Sequence, residues 1–178
     1  IGVRFVDGAG NIVKNGGRVM KNVTGYDLVK LMAGSFGTLG VLTELSFKLQ
    51  PMPETSATII VHETNEEAGI AALCKALGSP NDVTGAAYAN GQAFIRIDGL
   101  SGSVTYRTEA LKTLFSGYEI SIESDASKNA QLWKNIANVT AFANTKTDIW
   151  RISVPPTHGP KLVQHLRGLG VSLDAHFD

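Results

Sequence analysis

Val83-Thr84-Gly85-Ala86-Ala87-Tyr88-Ala89-Asn90-Gly91-Gln92-Ala93-Phe94-Ile95-Arg96-Ile97 reads as two strands about a tight turn. Asn and Gly both tolerate positive φ, which a two-residue hairpin turn of the I′ type requires. The pattern predicts strands over 83–89 and 93–97. Upstream, Asn65 is placed to cap a helix whose first turn carries Glu66 and Glu67, where the helix dipole favours acids. Ala71, Cys74 and Leu77 are read as its inner side and Gly78 as its end. A strand over 57–61 precedes it. Downstream, a helix capped near Ser101 or Ser103 turns Val104, Leu111, Leu114 and Phe115 inward, and Tyr118, Ile120 and Ile122 alternate in a further strand. The resulting order, β-α-β-β-α-β, is that of the ferredoxin-like split unit. Beyond it the periodicity predicts a helix over 125–142 with Leu132, Trp133 and Ile136, a strand over 149–154, a helix over 162–166 and a last strand over 171–173. Trp133 and Trp150 are expected to anchor the core.

The first fifty residues read differently. A short strand over 3–6, a turn at Asp7-Gly8-Ala9-Gly10-Asn11 and the pair Ile12-Val13 predict a hairpin, with a second turn at Asn15-Gly16-Gly17. Asp27 can cap a short helix with Leu28, Leu31 and Met32 on one face, and Gly34 suits its C′ position. Then comes Gly34-Ser35-Phe36-Gly37-Thr38-Leu39-Gly40-Val41-Leu42-Thr43-Glu44. Its three glycines, spaced by three, stand between that helix and a strand in which Leu45, Phe47 and Leu49 alternate with polar residues. Such a loop can hold something flat or anionic close to its backbone. A tight helix-to-strand connection explains the same spacing. Pro51-Met52-Pro53-Glu54 stops the strand and marks a domain boundary, giving domains over 1–50 and 55–178.

Composition narrows the function. The chain has 178 residues, 43% hydrophobic and 18% charged, enough for a core and unlike a disordered chain. Net charge is zero, which argues against a nucleic-acid face. The single cysteine, Cys74, excludes an intrachain disulfide and fits a reducing compartment. No apolar run reaches the length of a membrane span and no signal peptide is visible. The chain opens on Ile1-Gly2-Val3 without methionine, which predicts a fragment with residues missing upstream.

Known chemistries were sought by spacing. Gly8 and Gly10 lead to Val13, and Gly168 and Gly170 to Leu173, so neither gives the dinucleotide fingerprint. There is no Gly-Lys-Ser/Thr of a Walker loop. His62, His158, His165 and His176 form no zinc-protease pair, and His158 fits the start of a helix. Cys74 reads as a small core hydrophobe, Asp27 as a cap rather than a base, and Tyr26 as a residue that either packs or meets a ligand. No Gly-x-Ser-x-Gly elbow is present. Asn22-Val23-Thr24 and Asn138-Val139-Thr140 match the glycosylation sequon by chance.

Taken together, Lys21-Asn22-x-x-Gly25-Tyr26-Asp27-Leu28, Leu31 and Gly34-Ser35-x-Gly37-Thr38-Leu39-Gly40-Val41-Leu42-Thr43-Glu44 resemble the FAD-linked oxidases of the vanillyl-alcohol-oxidase (PCMH) type. The match covers about the first fifty residues, with both motifs in the family's order and spacing. Within that family, Gly17-Arg18-Val19-Met20-Lys21-Asn22-Val23 and Trp150-Arg151-Ile152-Ser153-Val154-Pro155 are similar to the FAD-binding (E) subunits of glycolate oxidases. Larger catalytic relatives carry Glu where this chain has Phe36, and an apolar residue there again resembles the E subunits.

The resemblance implies an α+β chain: the C-terminal part of a PCMH-type FAD-binding domain, then a ferredoxin-like cap truncated at its C-terminus. It implies FAD as cofactor, lined by Phe36, Gly37, Thr38, Leu39, Gly40, Val41 and Leu42 largely through backbone groups, with the Thr38 hydroxyl as an added contact. It implies oxidation of glycolate to glyoxylate in a complex with other glycolate oxidase subunits. D-lactate or another 2-hydroxy acid is the alternative substrate, and a non-catalytic assembly subunit the alternative role. The implied location is cytoplasmic, or peripheral at the inner membrane through partner subunits. The family's catalytic base and substrate-binding arginines align with no residue here, so no catalytic residue and no metal ligand is assigned. FAD binding by this chain alone is expected to be weak, and its uncovered apolar strands are expected to self-associate.

Overall fold

Asn90-Gly91 closes the central hairpin with φ of +51° and +75°, the backbone that a I′ turn demands. The computed structural model describes residues 1–19, 21, 25–62 and 64–177. Met20, Asn22, Val23 and Thr24, which belong to the quoted N-terminal motifs and the first sequon, lie outside the described residues. The chain divides into two units, Ile1–Pro51 and Met52–Asp178.

In the first unit, β1 (Gly2–Val6) pairs antiparallel with β2 (Ile12–Gly16), and α1 (Leu28–Met32) and β3 (Val41–Ser46) follow. The sheet order is β2-β1-β3. Asp7 organises the first turn: its Oδ1 accepts from the N–H groups of Ala9 and Asn11 at 2.9 and 2.8 Å. The Asn11 side chain donates to its other oxygen at 3.0 Å, and these bonds hold the Asp7 carboxyl below its ordinary pKa. Val3, Phe5 and Met32 form the small core, with Val13, Leu28 and Val29 packed on it. Leu31, expected inward, is exposed, because a helix of five residues turns only one narrow face to a sheet. β2 runs through Asn15 and Gly16, where a turn was expected. Phe47 and Leu49 lie past the end of β3 and are exposed.

In the second unit, β4 (Thr55–Val61), α2 (Glu66–Leu77), β5 (Gly85–Ala89), β6 (Gln92–Gly99), α3 (Ser101–Leu114) and β7 (Ile120–Glu123) form an antiparallel sheet of order β5-β6-β4-β7. That is the ferredoxin-like arrangement expected. Ala57, Ile59 and Val61 point one way and meet Ile70, Leu73 and Ala76 of α2 and Val104, Leu111 and Phe115 of the α3 region. The inner face of α2 is therefore shifted by a residue from the one expected. Ala71 and Leu77 are exposed, while Cys74 is half-buried against the core. Asn65 caps α2 through the Ala68 N–H at 2.8 Å. α3 begins after Leu100 without a side-chain cap; instead Glu54 Oε2 accepts from the Ser101 N–H at 3.0 Å.

The other face of this sheet is covered by α4 (Ala126–Ala137), capped by Asp125 at the Lys128 N–H, 2.8 Å. The predicted helix over 125–142 ends at Asn138, and a short 3-10 turn spans Thr140–Phe142. Ile136 is buried beside Phe94, with Leu132 and Trp133 packed near them. A polar chain runs underneath: Trp133 Nε1 donates to Thr58 Oγ1 at 2.7 Å, Thr58 donates to Asn129 Oδ1 at 2.6 Å, and Asn129 donates to Ser56 Oγ at 2.5 Å. Each buried polar atom in it has a partner, which is what makes it tolerable in a core.

The C-terminal third departs from expectation. Residues 149–154 and 171–173 form no strand, and Trp150 is 80% exposed rather than a core anchor. Alternation makes a strand only where an edge accepts its hydrogen bonds. At β5, among the described residues of this C-terminal third, only Phe177 does so, exchanging both bonds with Tyr88 at 2.8 and 2.9 Å. α5 (Gly159–Gly168) docks beside α2, where Arg167 meets Glu66 at 2.7 Å. His158 ends the short turn before α5, at the start of a helix as expected.

Arg107 joins the parts of this unit. It is 9% exposed and donates to the carbonyls of Ser103, Asn81, Asp82 and Asp98, the last at 2.7 Å. Arg107→Ala strands these carbonyls and is expected to cost about 2–4 kcal/mol in urea unfolding, with Arg107→Lys recovering only part. The Arg167 hydrogen bond holds the Glu66 carboxyl below its ordinary pKa. A depressed folded pKa adds stability above the unfolded value and loses it as pH falls through the folded one. Glu66→Gln should therefore destabilise at neutral pH by under about 1 kcal/mol and converge with the unsubstituted protein in acid, as urea midpoints across pH would show.

Candidate functional site

The loop between α1 and β3, with the first two residues of β3, carries every residue that the sequence nominates for cofactor contact. Its two ends are fixed by different means. At the first, Asp27 caps α1 through the Lys30 N–H at 3.3 Å, and its carboxyl, hydrogen-bonded to Lys30, sits below its ordinary pKa. Asp27 is thus engaged as a cap, as expected, and Tyr26 beside it is 87% exposed. At the second end Gly40 lies against β1. A Cβ on Gly40 would stand 2.5 Å from the Val6 carbonyl oxygen and 3.2 Å from Phe5 Cδ2, and its φ is +155°. No other residue type fits there without moving the strand.

Between these ends the chain makes one further tight turn. The Thr38 N–H donates to the Ser35 carbonyl at 3.0 Å, and Phe36 and Gly37 carry φ of +52° and +76°. Two positive φ values at the central positions are the I′ pattern. Gly37 suits it, and a Cβ there would meet nothing within 4 Å. Phe36 does not: a bulky side chain in the left-handed region is strained. Its ring is also 97% exposed.

The surface so formed is apolar with polar backbone. Leu39, Val41 and Leu42 are 45%, 69% and 45% exposed, and β3 is an edge strand. Leu42 and Leu45 share the sheet face of Phe5 and Val3, because an irregularity between Arg4 and Phe5 shifts the β1–β3 register. The N–H groups of Phe36, Gly37 and Leu39 lie outside the hydrogen bonds among the described residues. Thr38 Oγ1 donates to the Ser35 carbonyl at 2.6 Å, so its proton is committed and its lone pairs remain as acceptors. A flat ring with polar edges fits such a wall: apolar side chains for its face, backbone N–H groups for its rim.

One contributor had no sequence signature. Asn15, on β2, receives the Leu28 N–H on Oδ1 at 3.2 Å and donates from Nδ2 to the Tyr26 carbonyl at 3.0 Å. Its partners lie eleven and thirteen residues away, and no spacing rule announces that contact. In the second unit a cavity of about 610 Å³ lies among Trp150, Ile152, Leu162, Leu166, Val171 and Phe177, with Asp148 and Asp174 also in its wall. Among the described residues no group of His, Cys, Asp and Glu could hold a metal ion, and no helix is long and apolar enough to cross a membrane.

The resemblance drawn from the two motifs holds over most of the chain. The chain is 35% identical over 156 residues to glycolate oxidase subunit GlcE of Escherichia coli (strain K12), covering 87% of this chain and 41% of that protein. It is 46% identical over 68 residues to glycolate oxidase subunit GlcD of Bacillus subtilis (strain 168), 38% of this chain and 14% of that protein. It is 38% identical over 79 residues to an uncharacterized FAD-linked oxidoreductase of Mycobacterium tuberculosis, 44% of this chain and 17% of that protein. The chain thus spans about two fifths of the first relative's length and less of the others. No protein-family model matches it. By sequence the chain is related to FAD-linked oxidoreductases, and the two antiparallel sheets and five helices among the described residues give the α+β class expected.

Two substitutions test the loop. Phe36→Asn replaces a strained, exposed ring by a residue that tolerates positive φ, and should stabilise the first unit by about 1 kcal/mol in urea unfolding. A loss of stability would mean that the ring packs. Gly40→Ala meets the Val6 carbonyl and should cost more than about 1 kcal/mol.

Proposed function

We propose that this chain is part of an FAD-dependent 2-hydroxy-acid oxidoreductase of the glycolate oxidase kind, with Phe36 to Leu42 forming one wall of the flavin site. The observation that carries this reading is the Ser35–Thr38 turn. Its positive φ values, and its N–H groups outside the hydrogen bonds among the described residues, lie beside an apolar edge strand, in a chain similar to GlcE over 87% of its length. FAD, when bound, supplies the acceptor for the hydride of the 2-hydroxy acid.

The chain's own contribution is positioning. Leu39 and Val41 exclude water from one side of a flat ring, while Leu42, next to Val41 on β3, turns to the opposite face with Phe5. The free N–H groups of the turn meet its polar rim, and the lone pairs of Thr38 Oγ1 accept from it. Gly40 keeps the wall flush with β1, since any side chain there would lift it. Phe36 places no acid in this wall, so residues 36–42 would add no negative charge beside the ring. In this reading Ile1–Pro51 is the flavin-side domain and the second unit the cap on the substrate side. The substrate is glycolate, giving glyoxylate, and the partners are the other subunits of the same complex. Those subunits bring the chain to the cytoplasmic face of the membrane.

Binding to one wall alone is weak, so the test uses a method that reads weak binding. Backbone amide shifts of the chain, followed by NMR during titration with FAD to millimolar concentration, should move at residues 36–42 and hold still at Tyr88 and Ile95. Uniform silence across 36–42 would overturn the assignment. Turnover of D-lactate in preference to glycolate by the assembled complex would retain the flavin site and replace the substrate.

A further inference from the structure

We infer that Asn15, outside both motifs, is the positioning residue that sets the cofactor-facing loop on its sheet; the inference rests on the reading of that loop as a flavin wall. α1 has five residues, too few to persist as a helix on its own. Among the described residues three things hold it: the Asp27 cap, the packing of Leu28, Val29 and Met32 on Val3, Phe5 and Val13, and the Asn15 carboxamide.

The first two leave freedom that the third removes. A cap fixes the first turn relative to itself, and a few apolar contacts allow sliding. Asn15 instead ties the chain to β2 by two bonds of opposite sense, one to the Tyr26 carbonyl and one to the Leu28 N–H. Tyr26 offers only an acceptor there and Leu28 only a donor, so the amide has one orientation that satisfies both. Asn15 lies opposite Val3, beneath which the small core begins, and is half-buried. The bracket therefore fixes α1 both along and across the sheet. The loop inherits that placement, since the Ser35 N–H donates to the Met32 carbonyl at 3.2 Å and the Thr38 N–H to Ser35.

A group with only a local role would affect Leu28 alone. A positioning residue acts at the loop, seven to ten residues further on. The test compares amide hydrogen exchange and FAD titration by NMR in the full chain and in Asn15→Ala. Exchange at Ser35 and Thr38 should accelerate at least tenfold, with Tyr88 and Ile95 in the other unit unchanged. FAD-induced shifts at 36–42 should require at least tenfold more FAD. Asn15→Asp keeps the acceptor for Leu28 and loses the donor to Tyr26. It should give an intermediate effect at the same amides, and it stands in if the alanine variant does not fold. Unchanged exchange at Ser35 and Thr38 would overturn the inference whatever FAD does. Faster exchange with undiminished FAD shifts would also overturn it. Faster exchange in the variant, with no FAD shifts in the unsubstituted chain, would leave Asn15 as the loop's anchor and remove the flavin reading instead.

Discussion

The contact between Gly40 and the Val6 carbonyl is the constraint on which the first unit depends. β3 can pair with β1 from Val41 onward only if the chain arrives flush with β1, and only a residue without Cβ arrives that way. Everything upstream must then close the distance from the end of α1 to that fixed point in a few residues. The Ser35–Thr38 turn does this, and it leaves the N–H groups of Phe36, Gly37 and Leu39 outside the hydrogen bonds among the described residues. The apolar side chains that follow are presented beside them by an edge strand. A backbone contact of a single glycine thus explains both the shape and the chemistry of the exposed surface.

How much of this was legible in the sequence depends on the range of the interaction. The central hairpin is legible because Asn90-Gly91 is local turn chemistry, and α2 because Asn65 caps it within three residues. The face of α2 was misjudged by one position because Ala71 and Ala72 are both small and apolar, so the pattern does not say which one turns inward. The strand expected over 149–154 needs an edge to pair with, and no alternation of Ile149, Trp150 and Ile152 can supply one. Asn15 was missed for the same reason in reverse. Its partners are fixed by tertiary placement, so it reads as a turn residue until the fold is seen.

The glycine spacing that first marks the site says less than it suggests. Gly34, Gly37 and Gly40 have different tasks: one follows a helix, one completes a turn, and one is pressed on a strand. A regular spacing arose from three separate backbone requirements. That is why spacing alone leaves a plain helix-to-strand connection as good a reading as a ligand cradle, and why the sequence relationship was needed to favour the second.

The stronger mark of function is the residue that fits its place least. The chain uses the I′ pattern at Asn90-Gly91 and again at Phe36-Gly37. At the first, both residues suit the backbone, and the Gly91 carbonyl also accepts from the Thr64 N–H at 2.9 Å. At the second, a phenylalanine occupies the position that favours Asn, and the ring stands almost wholly in solvent. Stability alone would select against both the conformation and the exposure. A residue held against two separate costs implies a gain realised elsewhere, and Phe36 belongs to the stretch proposed as the flavin wall. The comparison of two turns within one molecule therefore singles out Phe36 as the residue that fits its backbone least, which supports the proposed wall alongside the sequence relationship.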